Sequence, residues 1–204
     1  WELSGAVNFN ESTVAIKNSI FKNNRCEDGL NIIRSKFTLE SSIFKDTKSD
    51  AFDGDFVDGT ITNCTFINSG NDGVDVSGSK IVLDNIIFEN PSDKAISAGE
   101  NSAIEGSKIN INGGEIGIVS KDLSTVLLSD VTINDTRLGF SSFQKKSEFG
   151  PGKITIKDLK MTNTESDYLI EIGSSLTIDN IVATTVSNKV IDQMYGKEYG
   201  KSSK

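Results

Sequence analysis

Two consecutive copies of one pattern occupy residues 61–96, which read ITNCTFINSGNDGVDVSGSKIVLDNIIFENPSDKAI. Each copy has apolar residues at three matching places, which are filled by the pairs Ile61 and Leu83, Phe66 and Phe88, and Val74 and Ile96. Around these places apolar and polar residues alternate, as they do in a β-strand. The copies are 22 residues apart, so one turn of the repeat contains three short strands.

The same three apolar columns continue through the rest of the chain. The first column contains Ile16, Leu39, Ile61, Leu83, Gly106, Leu128, Ile156 and Ile178. The second contains Phe21, Phe44, Phe66, Phe88, Ile111, Ile133, Met161 and Ala183. The third contains Leu30, Phe52, Val74, Ile96, Ile118, Phe140, Leu169 and Ile191. Coils stacked ~4.8 Å apart would place like residues in contact. The sequence therefore predicts an all-β fold, a right-handed parallel β-helix of about eight coils with three short strands per coil.

Asn, Asp and Gly follow the first and second columns at a fixed distance. Asn63 and Asn85 come two residues after the first column, and Asn68 and Asn90 come two residues after the second. These residue types tolerate the left-handed backbone conformation that a sharp corner requires. We therefore expect the corners of each coil at these positions.

The repeat predicts a single β-helix domain over residues 1–204. Val7 matches the third column, so the chain enters partway through a coil. Residues 192–204 are predicted to form a C-terminal cap and tail. The large side chains expected to cover the last coil are Met194, Tyr195 and Tyr199. Because the chain begins with Trp1 and not with Met, we expect a segment of a larger protein with other domains upstream.

Composition excludes several classes of function. The chain has 29 acidic and 21 basic residues, so its net charge of −8 offers no basic face for phosphates, and no nucleic-acid partner is expected. It contains no histidine, which excludes serine–histidine catalysis and histidine-ligated zinc. No run of apolar residues is long enough for a membrane span.

The two cysteines are predicted to be free thiols. Cys64 lies at an inward position two residues before Phe66, whereas Cys26 lies in a corner two coils away. Stacking geometry separates them by more than the ~7 Å between Cα atoms that a disulfide allows. Cys64 is therefore interpreted as a small core residue and not as a nucleophile.

The excess negative charge is confined to the middle of the chain, where residues 27–105 contain 15 acidic and 6 basic residues. On the third strand of each coil, an inward apolar residue precedes one that should point outward. The outward residues, which are candidate ligand-binding residues, are Asn31, Asp53, Asp75 and Ser97. Small neighbours such as Gly73 and Ala95 are expected to leave a flat backbone floor on which a ligand could lie.

Five carboxylates crowd onto two adjacent coils, namely Asp50, Asp53, Asp55, Asp72 and Asp75. Stacked carboxylates about 5 Å apart repel each other, so either some pKa values rise or a cation lies between them. Oxygen ligands on irregular loops suit calcium, which makes these five the candidate metal ligands and calcium a candidate cofactor.

Two other interpretations of the acidic residues stay open. Asp53, Asp72 and Asp75, together with Lys121, are weak candidates for acid–base catalysis of glycoside cleavage. Alternatively, the aspartates only make corner turns and discourage aggregation at the sheet edges.

One coil is longer than the others. The step of 28 residues from Leu128 to Ile156 comes from an insertion around residues 143–152. Within it Lys145, Lys146 and Phe149 are candidate ligand-binding residues, because an exposed ring beside a cation suits sugar stacking or protein binding. The alternative is that Phe143 and Phe149 fold back over the coil.

Across essentially its whole length, the chain resembles the right-handed β-helices of the pectin-lyase-like superfamily. Residues Asn71 to Asp75 are similar to the Asn-x-Asp-Gly-x-Asp element of polygalacturonases, but the histidine and the Arg-x-Lys pair of those enzymes have no counterpart here. Pectate lyases use an arginine base, and Arg34 and Arg137 lie coils away from the acidic residues. The pattern most resembles uncharacterised bacterial β-helix domains found with CotH-like modules. The resemblance implies a secreted or cell-surface bacterial protein without a defined reaction.

Two functional hypotheses follow. In the first, the chain is a non-catalytic extracellular module that binds a polysaccharide or a cell-surface protein along the third-strand face, and the incomplete catalytic set favours it. In the second, it is a calcium-dependent polysaccharide lyase or hydrolase that acts on uronate-containing polymers. There the aspartates would hold calcium or act as acid and base. Lys121, Lys145 or Lys146 would supply a base or bind substrate carboxylates.

Overall fold

The structure is a computed structural model and describes residues 4–200. Its elements, in chain order, are β1 (Gly5–Asn10), β2 (Val14–Lys17), β3 (Ile20–Lys22), β4 (Asp28–Ile33), β5 (Lys36–Glu40), β6 (Ile43–Thr47), β7 (Asp50–Asp55), β8 (Asp58–Ser69), β9 (Val74–Ser77), β10 (Lys80–Glu89), β11 (Lys94–Gly99), β12 (Ala103–Asn112), β13 (Ile116–Lys121), β14 (Thr125–Asn134), β15 (Leu138–Phe143), β16 (Lys153–Thr162), β17 (Ser166–Ile170), β18 (Ser175–Ile178), β19 (Ile181–Val182) and α1 (Val190–Tyr195).

These strands form two sheets that enclose one core. Sheet A contains, in spatial order, β1, β4, β7, β9, β11, β13, β15 and β17. Sheet B runs from β2 and β5 through β8, β10, β12, β14 and β16 to β18 and β19, with β3 and β6 paired beside β8. Among the described strands, pairing is parallel except between β18 and β19. The all-β parallel solenoid of about eight coils is confirmed.

The predicted columns stack in the predicted register through most of the chain. Phe66 lies opposite Phe88 in the paired strands, and Val74 lies opposite Ile96. Aromatic rings form a ladder in the second column, with ring centroids 4.8 Å apart for Phe44 and Phe66 and 5.1 Å for Phe66 and Phe88. These rings are fully buried. The repeat in the sequence therefore predicted these core residues correctly.

From the third coil to the seventh, the first two predicted strands run into one continuous strand. β8 and β10 each cross a corner at which Asn63 and Asn85 have positive φ angles of 53° and 56°. The Nδ2 of Asn85 donates to the Oδ1 of Asn63 at 2.8 Å. The left-handed residue bends the strand without ending its pairing, so the corner does not interrupt the sheet.

The last two coils depart from the predicted columns. Tyr168, not Leu169, pairs with Phe140, so Leu169 points to the outer side of sheet A. After β18 the chain reverses into the antiparallel β19, and Ala183 packs against the end of the core. Ile191 lies in α1 and is partly exposed, whereas the column required a strand. The reversal after β18 leaves no room for a third strand in the eighth coil.

The C-terminal segment packs on the side of the solenoid. Met194, Tyr195 and Tyr199 were expected to cover the last coil, but the structure places Met194 and Tyr199 over the outer face of sheet A and the Tyr195 ring against Phe143. They form a second hydrophobic cluster whose other fully buried members are Ile116, Val119, Leu138, Phe143 and Val190. Arg137 donates a hydrogen bond to the Glu198 carbonyl oxygen, which ties the segment to β15. No helix within residues 4–200 has the length and hydropathy of a transmembrane span.

Both described cysteines are free, as predicted. Cys26 is exposed, and Cys64 is buried with its Sγ donating to the Thr62 carbonyl oxygen at 3.3 Å. Burial raises the pKa of the Cys64 thiol, which disfavours the thiolate that a nucleophile requires.

Candidate functional site

The candidate site lies on the outer face of sheet A, where polar side chains stack in two columns along β4, β7, β9 and β11, with Asp72 just before the start of β9. The first column is Asp28, Asp50, Asp72 and Lys94, and the second is Asn31, Asp53, Asp75 and Ser97. Adjacent strands of a sheet lie ~4.8 Å apart, so each side chain is close to its neighbour in the next coil. The four predicted ligand-binding residues of the second column are therefore brought together.

The small residues beside these columns do not form an open floor for a ligand. Gly73 and Ala95 are buried, and a Cβ atom built on Gly73 would lie 2.6 Å from the Phe88 ring. On Gly139 it would lie 2.7 Å from the Met161 sulfur. The positions are small because the backbone packs here against the second apolar column. The expected bare floor is thus wrong, and ligand contact falls to the polar side chains.

Two buried lysines neutralise part of the acidic face. Lys94 and Asp72 form an ion pair at 3.3 Å with side chains only 7% and 3% exposed, and Lys94 also bonds Asp93 at 2.5 Å. Burial opposes the charged form of Lys94, but the Asp72 and Asp93 carboxylates outweigh it and raise the pKa of Lys94. Lys94 was not predicted as a site residue from the sequence, since it interrupts a run of aspartates in its column.

Lys121 pairs with the second column. Its Nζ lies 3.7 Å from Asp75 Oδ1 and donates to Ser97 Oγ at 2.7 Å. Burial alone would raise the pKa of Asp75, but Lys121 and Lys94 outweigh burial and lower it. The same pairing raises the pKa of Lys121 against its own burial. Lys121 is therefore a cation that holds Asp75 ionised.

Three carboxyl groups on β7 lack such a lysine, and we name Asp50, Asp53 and Asp55 the carboxyl row. Burial, with the nearby Asp55 and Asp28, raises the pKa of Asp53 to about 9. Burial and Asp72 raise the pKa of Asp50 to about 8. Asp53 Oδ2 accepts a 2.6 Å hydrogen bond from Asn31 Nδ2. At neutral pH two of the three groups are therefore mostly protonated, whereas Asp75 one coil away is ionised.

An aromatic ring lies at the end of the carboxyl row. Phe56 directly follows β7, has a φ of 54° and is 58% exposed. A Cβ atom added to Gly78 would lie 2.7 Å from the Phe56 ring, so the ring lies over that glycine in the next coil. The Arg34 guanidinium lies 5.8 Å from the ring centroid on the other side. Phe56 was not predicted as a site residue from the sequence, although an apolar residue at a corner was a detectable signal.

The family model described as "Right handed beta helix region" matches residues 5–191. The chain belongs to this family. No curated protein sequence matches the chain. Among solved structures, it is similar to the catalytic domain of GH87 alpha-1,3-glucanase in complex with nigerose, with 12% sequence identity and a TM-score of 0.38. That match covers 83% of this chain and 49% of the glucanase chain. The present chain therefore spans about half the length of the glucanase chain.

The inserted loop of this right-handed β-helix is anchored beside the site. Asp122 Oδ1 accepts hydrogen bonds from the backbone nitrogens of Lys145 and Lys146, both at 2.7 Å. Lys146 forms an ion pair with Glu100, and the Nζ of Lys145 lies 4.6 Å from the centroid of the Tyr195 ring. The loop thus holds both predicted ligand-binding lysines close to sheet A, each with a partner.

The two phenylalanines of the insertion behave differently. Phe143 is fully buried in the second hydrophobic cluster, with the Tyr195 ring edge-on at 6.1 Å. Phe149 is half-buried, and it belongs to neither hydrophobic cluster of residues 4–200. Phe143 therefore folds back over the coil, as the alternative prediction stated, whereas ligand contact by Phe149 stays a prediction.

The five predicted calcium ligands form two groups, which differ in whether the carboxylate pairs with a lysine. Within residues 4–200, no three carboxylates or thiols come together as a metal-binding group. Asp72 and Asp75 already face Lys94 and Lys121, which supply the positive charge that a cation would bring. The three residues of the carboxyl row are the predicted ligands that form no ion pair with a lysine. Calcium binding stays a prediction.

Proposed function

We propose that this right-handed β-helix binds a glycan along the outer face of β7, β9 and β11. The observation that carries the proposal is the exposed Phe56 ring at the end of the carboxyl row. Sugar sites combine an apolar surface with a few fixed polar groups. Here Asp50, Asp53 and Asp55 supply hydrogen-bonding groups along a single strand, and the exposed edge of the Phe56 ring, which lies between Gly78 and Arg34, supplies an apolar contact.

The rest of sheet A limits where the ligand lies. From β13 onward its outer face is covered by α1 and Tyr199, so the ligand track is confined to the earlier coils. Lys121 and Ser97 border the track on its covered side. A module that binds polysaccharide, or a glycan carried by a cell-surface protein, would act outside the cell, and we extend the proposal to a secreted or cell-surface location.

The test compares Phe56→Ala with Leu127→Ala, which removes an exposed apolar side chain from β14 in sheet B. A glycan array would first select an oligosaccharide, and calorimetry would then measure its affinity. Phe56→Ala should weaken binding about tenfold, which corresponds to about 1.4 kcal/mol, because it removes the apolar contact at the end of the carboxyl row. Equal affinities for the two variants would contradict the proposed track.

A second candidate function is glycoside hydrolysis by Asp53 and Asp75. Their stacked positions and opposite pKa shifts place a protonated carboxyl one coil from an ionised one. Such a pair can supply a general acid and a base or nucleophile. Lys121 would keep Asp75 ionised, and Asp72, bound to Lys94, would stay outside the reaction.

Lyase chemistry with a lysine base is less suited to this site. The raised pKa of Lys121 keeps its ammonium protonated, so it has no lone pair to accept a proton. Reducing-sugar release from a panel of polysaccharides would test hydrolysis. Asp53→Asn and Asp75→Asn should each abolish it, while Asp130→Asn, at a corner where other coils have Asn63 and Asn85, should not.

A further inference from the structure

Positive charge collects on the first two coils of this acidic chain. Residues 12–26 contain three basic residues and no acidic one. Lys22, the last residue of β3, lies directly opposite Lys45 of β6 in the paired strands. In another row of sheet B the charges alternate, because Asp58 lies between two lysines of the neighbouring coils. Like charges that face each other are destabilising, so the stacked lysines create a positive surface at a cost in stability.

A cavity of about 450 Å³ lies beside these lysines, at the corner that leads from β3 into β4 and from β6 into β7. Asn23, Asn24, Arg25, Asp46 and Lys48 line it. The corner is formed by Asn23 and Asp46, whose φ angles are 55° and 53°. The volume of the cavity lies within the range of ligand-binding sites.

The two cations of the lining are available to a ligand. Arg25 and Lys48 are exposed, and neither forms an ion pair within residues 4–200. Asp46 also lines the cavity, and its Oδ1 accepts a hydrogen bond from the Nδ2 of Asn68 at 2.8 Å. Asp50, two residues after Lys48, adds little negative charge at neutral pH, because burial raises its pKa to about 8.

Asn24 fixes the loop that carries Arg25. Its Nδ2 donates to the carbonyl oxygens of Cys26 and Asp28 at 3.2 and 3.0 Å. Its Oδ1 is buried and has no hydrogen-bond partner within the described residues, although Asn24 lines the cavity. A buried acceptor without a partner is destabilising, and a hydroxyl donor from a ligand would offset that cost. The lining thus offers cations to an oxyanion and an acceptor to a hydroxyl group, and an acidic sugar carries both groups.

We infer that this cavity binds the carboxylate or sulfate group of an acidic glycan. This inference rests on the proposed function, and it adds a subsite at the end of β7 opposite to Phe56. The Arg25 guanidinium would donate two parallel hydrogen bonds to the oxyanion, and the Lys48 ammonium would donate another. Lys22 and Lys45, one residue before the corner on each coil, would add attraction for further acidic units of the glycan.

The test uses a galacturonate trimer and its methyl ester, which have the same sugar units and differ in charge, together with a sulfated galactan trimer. Calorimetry uses the full chain in buffer with EDTA at physiological salt. At least one acidic trimer should bind at least about tenfold tighter than the ester, since a charge-assisted hydrogen bond contributes that much. The tighter of the two acidic trimers identifies the oxyanion. Its affinity should fall as the salt concentration rises.

A matched pair of double variants separates a site from general attraction of a polyanion. Arg25→Gln with Lys48→Gln removes both cations of the lining and should weaken binding of the tighter trimer about tenfold or more. Lys153→Gln with Lys160→Gln makes the same change of net charge at exposed lysines of β16, and it should leave the affinity unchanged. Circular dichroism should show that both double variants are folded. Arg25→Lys supplies a milder change that keeps the charge.

Each contrary outcome has a separate meaning. Ester binding as tight as that of the acidic trimers would overturn the inference and leave the proposed glycan track standing. Equal weakening by the two double variants would show general attraction and overturn it. Full displacement of the trimer by an equal concentration of inorganic sulfate would overturn the sugar as the ligand. Failure of all three trimers to bind would also overturn the inference, whereas the proposed function depends on the glycan array and on Phe56→Ala.

Discussion

Sheet A has an acidic half, on β4, β7 and β9, and an apolar half, on β13, β15 and β17. The strands of both halves bury the same inward column, with Phe52 in one half and Phe140 in the other. Only the outward residues differ: the equivalents of Asp50 and Asp53 in the first half are Ile116 and Val119 in the second. The inward residues form the core of each coil, and the outward residues determine whether another segment of the chain covers the outer face of sheet A.

The two halves have different coverings. The apolar half is sealed by the chain's own C-terminal segment, whose Met194 and Tyr199 are nearly fully buried. The acidic half contains half-exposed carboxyl groups whose pKa values are raised. Burial and repulsion between neighbouring carboxylates destabilise the ionised form of these groups. Carboxyl groups with strongly shifted pKa values are concentrated at functional sites, so these groups indicate that the function lies in this half.

The largest expected effect is one that the halves share. Phe52→Ala and Phe140→Ala each remove a fully buried ring from the same column, and each should lower the free energy of unfolding by about 3–5 kcal/mol. Urea denaturation followed by circular dichroism measures both. If one variant cost less than about 1 kcal/mol, the inward side would not be equivalent in the two halves.

The apolar half should depend on its covering. Met194→Ala removes a buried side chain from the second cluster and should cost about 2–3 kcal/mol, the lower part of the range for buried methionine because this cluster is small. Hydrogen exchange should show increased opening of residues 190–199 and of β13 and β15. Unchanged protection of these strands would mean that the segment does not stabilise the face it covers.

The acidic half should respond to pH. The folded pKa values of Asp53 and Asp50, about 9 and about 8, lie above the unfolded value, so folding is favoured when these groups are protonated. Their contribution is fully present at about pH 4 and is lost as pH rises to about pH 9, a decrease on the order of 1–3 kcal/mol after solvent screening.

Thermal melting across this pH range measures the effect. Asp53→Asn should flatten the profile, because the amide does not ionise. Asp75 has the opposite sign, since its lowered pKa contributes stability that is lost only as the pH falls below about 4. Stability that rises from about pH 4 to about pH 9 would contradict the protonated state of the carboxyl row.

The smallest expected effect is calcium binding to the carboxyl row. Only three of the five candidate carboxylates are without a lysine partner, so we expect weak binding that adds about 1.4 kcal/mol when calcium is ten times Kd. Melting temperatures in calcium chloride and in sodium chloride of equal ionic strength measure the difference. A shift that is the same in both salts would leave only charge screening.

The sequence by itself determined the repeat, the inward columns and the location of the excess acid. Each coil contacts only its neighbours, so register is local and a period of 22 residues is enough to place Phe66 on Phe88. The outward direction of Asp53 and Asp75 followed from the same alternation. The fold class and the residues that share a face were predictable because strand periodicity encodes both.

Only the tertiary structure decided the partners of those residues. Lys121 meets Asp75 from two coils away, and Glu198 bonds Arg137 across 61 residues, in a segment with no repeat to indicate where it packs. The inward packing of Gly73 against Phe88 depended on how closely the two sheets approach. The charge state of the acidic face depends on these contacts, because burial and a neighbouring lysine shift a carboxyl pKa in opposite directions.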